Sequence, residues 1–298
     1  MKYIPLGKST LQISRIGFGC MSLKGSYEEM EKLIHQAIEG GINYFDTADL
    51  YDKGLNEKTV GKAIAHKRSE IILATKVGNQ WRNDGSGWDW NPTKQHILTA
   101  VEASLKRLQT DYIDLYQLHG GTIDDPIDEA IEAFELLKKQ GKIRFYGISS
   151  IRPNVIKEYL RKSNITSVMM QYSLLDRRAG EIVFPLLMEH NIGILARGTI
   201  ACGLLVNKPS KEYLCYSAKQ VSDTANSVQL ISGESRSAAQ TAIQFALHQP
   251  AIASAVVGIR TREQLNEALN IFKAPSLTER EIDILSQSVK PNYYTDHR

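Results

Sequence analysis

Four residues in the first half of this sequence could do chemistry together: Asp46, Tyr51, Lys76 and His119. A tyrosine hydroxyl is a weak acid, with an ordinary pKa of ~10. A neighbouring lysine ammonium favours the phenolate and makes the hydroxyl a better proton donor. A carboxylate such as Asp46 would hold Lys76 charged and in place, and His119 could orient a carbonyl oxygen by hydrogen bonding. The set is then a general acid aimed at an oxygen that gains negative charge, which is what carbonyl reduction needs. It requires no metal. Taken singly, each residue has a plainer reading: a strand-end carboxylate, a half-buried packing tyrosine, a solvated lysine, a structural histidine. The set becomes specific only if the fold delivers all four to one place. No Ser–His–Asp order, nucleophile elbow or HExxH run offers a competing chemistry.

The elements needed to position these residues can be read along the chain. A hairpin (Ile4–Leu6 and Leu11–Ile13, joined through Gly7) comes first. Strands are then predicted at Ile16–Gly19, Tyr44–Asp46, Ile71–Lys76, Tyr112–Leu118, Phe145–Ile148, Ser167–Gln171, Gly193–Arg197 and Ala253–Val257. Helices alternate with them: Ser26–Glu39, Asn56–Ala65, Thr93–Leu108, Pro126–Gln140, Pro153–Ser163, Gly180–Asn191, Ser237–Gln249 and Thr261–Ile271, with a last helix at Thr278–Val289. Ser26 and Glu29 have capping-box spacing, and Gly40-Gly41 supplies a stop. Eight β→α units at a spacing of roughly thirty residues predict a closed (β/α)8 TIM barrel with an N-terminal β-hairpin and an extra C-terminal helix. Asp46 then ends the second strand, Tyr51 lies in the loop after it, Lys76 ends the third and His119 follows the fourth. Strand C-termini are where such barrels carry their chemistry. Two connections, Val77–Asn91 and Gly198–Arg236, are long enough to invite a functional reading.

Composition sets the outer limits. The chain has 298 residues, 42% hydrophobic and 23% charged, with 36 Lys+Arg against 33 Asp+Glu. That is an ordinary globular balance, not a disordered one. The net charge of +3 carries no basic stripe, so nucleic acid is not implied as a partner. Cys20, Cys202 and Cys215 are odd in number and lack CxxC spacing, which argues against a disulfide framework or a zinc ribbon and suits a reducing compartment. The N-terminus lacks a signal-like apolar run and no segment approaches the length of a membrane span. The expectation is a single domain over residues 1–298, soluble and cytoplasmic.

The motifs around the four residues resemble a known family. Asp46-Thr47-Ala48-Asp49-Leu50-Tyr51, Asp111-Tyr112-Ile113-Asp114-Leu115-Tyr116-Gln117-Leu118-His119 and Gly141-Lys142-Ile143-Arg144-Phe145-Tyr146-Gly147-Ile148-Ser149 are similar to signatures of the aldo-keto reductase superfamily, and the pattern is closest to bacterial members of the family 11 type. The resemblance implies a barrel using NADPH, with Tyr51 as acid/base, Lys76 and Asp46 tuning it, and His119 polarising the carbonyl. It implies cofactor contacts at Cys20, Met21 and Asp46. Ser149, Ser150 and Gln171 match positions at the nicotinamide, with Arg197 beside it. Gly198, Thr199, Ile200, Cys202, Gly203 and Leu205 match the loop over the pyrophosphate. Gly258, Arg260, Gln264, Glu267 and Ala268 match the segment at the adenosine 2′-phosphate and adenine. Guanidinium groups such as Arg260 and Arg262 suit a phosphate and favour NADP over NAD, with Arg262 reading equally as a solvated helix residue. No Rossmann fingerprint is present; Gly17 and Gly19 form only GxG.

Three positions depart from the family pattern. Ser150 stands where Asn commonly follows the Ser, and Asp52 where Gly often follows the catalytic Tyr. Arg197 falls where many members place an aromatic ring, and its guanidinium plane is expected to stack on the nicotinamide or else to face solvent or a loop carboxylate. Trp81, Trp88 and Trp90 lie in one loop after Lys76, where they either wall the substrate site or pin the loop. Lys208, Lys211 and Lys219 lie in the second long loop, a clamp over phosphates or simply a charged surface. The reading is an NADPH-dependent reductase of aldehydes or ketones, small-molecule in its partners and monomeric. Its rivals are a polyol or sugar dehydrogenase working oxidatively, and a non-catalytic NADP-binding sensor or accessory subunit.

Overall fold

A computed structural model describes residues 1–298. The chain opens with an antiparallel pair, β1 (Tyr3–Pro5) and β2 (Gln12–Ser14). Gly7 turns this hairpin at φ +54°, and a side chain there would meet Gly193 N and Thr166 O at 2.5 Å. The close approach lets Leu6, Leu11 and Ile13 enter the barrel from its N-terminal end, where all three are buried.

Alternating strands and helices follow: β3 (Ile16–Gly19), α1 (Tyr27–Glu39), β4 (Tyr44–Asp46), α2 (Leu55–Ile64) and β5 (Ile72–Val77). A small hairpin, β6 (Asn79–Trp81) and β7 (Trp88–Trp90), precedes α3 (Lys94–Leu108). Then come β8 (Ile113–Leu118), α4 (Ile127–Lys139), β9 (Ile143–Ser149), α5 (Pro153–Lys162), β10 (Ser167–Gln171), α6 (Ala179–Glu189) and β11 (Gly193–Arg197). Two helices, α7 (Ala218–Ile231) and α8 (Ala238–His248), lead to β12 (Ile252–Gly258), α9 (Arg262–Leu269) and α10 (Glu279–Gln287). Strands β3, β4, β5, β8, β9, β10, β11 and β12 pair in parallel, and β12 closes on β3. This is the (β/α)8 barrel expected from the repeat. The Ser26–Glu29 capping box is also formed, at the start of α1.

Two expectations about the connections are corrected. The segment Val77–Asn91 is not an irregular loop but carries β6–β7, in which Trp81 lies opposite Trp88. Strands of three residues are too short for alternation to show. The segment Gly198–Arg236 contains α7, whose Ser217–Gln220 capping box and buried Val221, Thr224 and Val228 are a helix signal hidden in a polar stretch. Lys219 belongs to that helix and pairs with Asp223 at 2.8 Å.

Strand parity decides which side chains reach the lumen, because successive side chains point to opposite faces. One apolar cluster fills the lumen: Tyr44, Ala74, Leu115, Met169 and Leu195, sealed below by the hairpin. Two residues further along the same strands lie Asp46, Lys76, Gln117, Gln171 and Arg197. The opposite parity, with Phe45, Leu73, Tyr116 and Val168, joins the larger core between sheet and helices. No helix is long and apolar enough to cross a membrane.

Candidate active site

Lys76 is 1% exposed and has three hydrogen-bond acceptors. Its ammonium donates to Asp46 Oδ1 at 2.6 Å, to the Thr47 carbonyl at 2.7 Å and to the Tyr51 hydroxyl oxygen at 3.3 Å. An ammonium has three protons, so this geometry is saturated and fixed. Burial works against the charge of Lys76, but Asp46 and the Tyr51 oxygen outweigh it and hold the amine protonated, its pKa above the ordinary value. Burial likewise raises the Asp46 carboxyl, opposed by Lys76 and by hydrogen bonds from Gln117 and Tyr44. Tyr51 receives its hydrogen bond from Lys76, which leaves its own O–H free to be given away.

His119 lies edge-on to Tyr51, with ring centroids 5.7 Å apart. Its backbone N–H donates to the Val77 carbonyl at 2.7 Å, anchoring it beside the end of β5. Burial, then the charges of Lys76 and Arg197, push its pKa down to about 3. The imidazole is therefore neutral at physiological pH. Its Nδ1 is buried without a hydrogen-bond partner. A neutral imidazole can hold a substrate oxygen by a hydrogen bond, but it does not supply the proton. The unfolded chain takes up this proton below pH ~6.5, whereas the folded one waits until about 3. His119 thus costs stability as the pH falls through that window, by up to ~1.4 kcal/mol per pH unit. His119→Gln is expected to lose less stability than wild type between pH 6.5 and 4 in urea unfolding. Parallel pH curves would contradict the neutral assignment.

The turn after Tyr51 is strained. Asp52 (φ 48°) and Lys53 (φ 52°) are left-handed non-glycine residues, followed by Gly54 at φ 83°. Such positions cost roughly 1–2 kcal/mol each and persist only where their surroundings hold them. Here Trp81 Nε1 donates to the Leu50 carbonyl at 3.2 Å, and the Lys53 ammonium sits 5.0 Å from the Trp81 ring centroid. The β6–β7 hairpin thereby clasps the tyrosine loop. Trp90 Nε1 donates to Asp125 at 3.0 Å, and its ring packs against Gly78 and Gly120. Trp81 and Trp90 pin the hairpin, and Trp88 alone of the three is exposed, at 47%. Trp81→Phe is expected to lower kcat about five-fold by loosening Tyr51, at the strength of one hydrogen bond. An unchanged kcat in steady-state assays would show the clasp to be idle.

The remaining sequence-derived residues lie along the same C-terminal rim. Ser149 is buried at the end of β9, and Ser150 is buried just beyond it. The Ser150 hydroxyl accepts from Arg152 N at 3.2 Å. Gln171 and Arg197 end adjacent strands in register, β10 and β11. Arg197 is exposed, with no carboxylate paired to it, so the reading in which a loop acid neutralises it does not hold. After it, Gly198, Ala201, Cys202 and Gly203 all have positive φ, and Thr199, within the same segment, is buried. Cys202 is exposed and Ile200 partly so. Gly258 ends β12; the exposed Arg260 follows, its backbone N–H held by the Gln264 side chain at 3.0 Å. Glu267 is half-buried on α9. Cys20, Leu205 and Ala268 are buried at 0–2% exposure, so their side chains belong to the core, whereas Met21 is exposed. No group of three or more His, Cys, Asp or Glu side chains comes together as metal ligands.

The residue the sequence reading missed is Gln117. It is fully buried and donates to Asp46 Oδ2 at 3.2 Å. Its signal was strand parity, since it lies two residues from Leu115 and two from His119.

Residues 15–290 match the model of the aldo/keto reductase family. The chain belongs to that family. This aldo/keto reductase is 50% identical to the Bacillus subtilis oxidoreductase YqkF over the whole of both chains. Among solved structures it is similar to the aldo-keto reductase AKR11C1 from Bacillus halodurans. The holo form shows 48% identity and a TM-score of 0.93, covering 100% of this chain and 99% of that one; the apo form gives 0.86. An NADH-specific methylglyoxal reductase of Escherichia coli is 31% identical, covering 72% of each chain.

Proposed function

We propose that this aldo/keto reductase is an NADPH-dependent reductase of aldehydes and ketones. The observation that carries the reading is the saturated ammonium of Lys76, which leaves the Tyr51 O–H free to be donated beside a neutral His119. When bound, NADPH supplies the hydride that the carbonyl carbon accepts. The neutral imidazole of His119 holds the carbonyl oxygen. Tyr51 gives that oxygen its proton, and the Lys76 ammonium 3.3 Å away stabilises the phenolate left behind. Asp46, through its 2.6 Å contact, keeps Lys76 charged and aimed.

The chain's own residues fit the dinucleotide. The left-handed residues Gly198, Ala201, Cys202 and Gly203 give this connection the kind of backbone turn whose N–H groups would suit phosphate oxygens. Arg260, just before α9, and Arg262, its first residue, are exposed and without carboxylate partners, and would hold a 2′-phosphate. Ser149, Ser150 and Gln171 would hold the nicotinamide carboxamide. Arg197 would lie at the nicotinamide, where a cation disfavours the oxidised, positively charged ring. Arg197→Trp is expected to tighten NADP⁺ relative to NADPH in equilibrium titrations; an unchanged ratio would remove Arg197 from that role.

Met21, Trp88, Ile123 and Leu214 are exposed apolar side chains on the connections that follow β3, β5, β8 and β11, and Leu55, also exposed, opens α2. They favour reactive, lipophilic aldehydes, and with them a detoxifying role. The free cysteines agree with a cytoplasmic enzyme, and we assign it as a monomer. The test is NADPH and NADH oxidation across apolar aldehydes, ketones and sugars, with NADP⁺ reduction across polyols in parallel. Turnover of apolar aldehydes with NADPH is expected. Turnover of polyols alone would make it a dehydrogenase, and no turnover in either direction would make it a sensor.

A further inference from the structure

We propose that Gln117 is a positioning residue: it holds the Asp46 carboxylate so that Lys76 keeps its third proton on Tyr51. The inference rests on Tyr51 being the acid. Gln117 lies opposite Lys76 in register across β5 and β8, and opposite Gly147 of β9 on its other side. Its amide is fully buried. A carboxylate only accepts, so the nitrogen must face Asp46 Oδ2, 3.2 Å away, and the amide oxygen must face away. That oxygen, Oε1, is buried with no partner. A Met or Leu would fill the same lumen without stranding a polar atom. The residue's one satisfied contact is the one to Asp46, and that contact accounts for its presence.

The consequence follows from the three bonds of Lys76. The bond to Tyr51, at 3.3 Å, is the longest and the first to be lost. Asp46 Oδ2 is now engaged by Gln117 and, at 3.5 Å, by the Tyr44 hydroxyl. Without Gln117, Oδ2 is free to compete for the Lys76 ammonium and draw it off Tyr51. The titratable groups that face Asp46 are Lys76, Tyr44 and Cys20, and Tyr51 is held by Lys76.

Gln117→Met and Gln117→Glu test this. In Gln117→Met, kcat is expected to fall about ten-fold at a carbonyl KM within about two-fold of wild type, as for loss of one charge-assisted hydrogen bond. The alkaline limb of its reductive pH profile should move upward, because the phenolate has lost its stabilising donor. Gln117→Glu should be inactive at alkaline pH, where two carboxylates face each other. It should recover as the pH falls and the pair shares a proton, which restores a donor to Asp46. Wild-type kcat and pH profile in Gln117→Met, or no acid recovery in Gln117→Glu, would each overturn the proposal. If Gln117→Met does not fold, the acid recovery of Gln117→Glu decides. If the wild type turns over no carbonyl, the functional reading fails, and melting temperature against pH still tests the contact. The deficit of Gln117→Met relative to wild type should shrink on acidification as Asp46 becomes neutral, and a constant deficit overturns the contact's role.

Discussion

Tyr51→Phe is expected to lower kcat for aldehyde reduction by about three orders of magnitude, the range of a positioned general acid. NADPH affinity should stay within about two-fold, since the change removes one oxygen and its single bond from Lys76. The other groups of the site are each unable to supply the proton. His119, with a pKa of about 3, is a neutral imidazole near neutrality, and its remaining N–H donates a hydrogen bond but is far too weak an acid to transfer its proton. The protons of Lys76 are committed to Asp46, Thr47 and Tyr51. Asp46 is engaged by Lys76 and Gln117 below the rim. Only the Tyr51 O–H is both free and close to His119. Steady-state kinetics beside a nucleotide-binding titration separates the two effects. Retention of more than about a tenth of wild-type kcat would mean that water or another group supplies the proton.

Lys76→Met is expected to damage both catalysis and stability. It removes the charge that stabilises the phenolate, so kcat should fall at least as far as in Tyr51→Phe. It also strands the Asp46 carboxylate, which is only 4% exposed. Breaking a buried pair by removing one partner costs about 3–5 kcal/mol. The pH dependence has a defined sign. Burial already raises the Asp46 carboxyl, and losing Lys76 removes the main opposing influence. The folded state then favours the protonated acid, so the deficit is full at alkaline pH and narrows as the pH falls toward the unfolded carboxyl's ~4. Urea unfolding at pH 5 and 8 measures this. Asp46→Asn combined with Lys76→Met should regain most of the stability and none of the activity. A deficit independent of pH, or a double variant no more stable than the single, would show that Lys76 and Asp46 are not a coupled buried pair.

The barrel was legible because its repeat is local. Each unit places a short apolar run beside an amphipathic one, and signals such as the Ser26–Glu29 capping box need only a few adjacent residues. The gathering of Asp46, Lys76 and His119 followed from that repeat, since strands of a closed parallel barrel present their ends to one rim. The three-residue strands at Trp81 and Trp88 were beyond reach, because they pair only with each other and carry too few alternations to read. Helix α7 was readable in principle but hidden by its polar composition.

The site divides in the same way. Residue types at strand ends were determined by the sequence alone: an acid and a hydroxyl on one unit, then a base and an imidazole on the next two, with the family motifs around them. Their chemical states were decided only by tertiary structure. Lys76 is charged because Asp46 lies 2.6 Å away, and His119 is neutral because burial, Lys76 and Arg197 surround it. Trp81 became a clasp because the β6–β7 hairpin folds onto the Leu50 carbonyl. Gln117 read as one more strand residue until its amide met Asp46 across β5. Charge, hydrogen bonding and strain depend on neighbours distant in the chain. A linear sequence states which groups exist, and only the closed barrel states which of them touch.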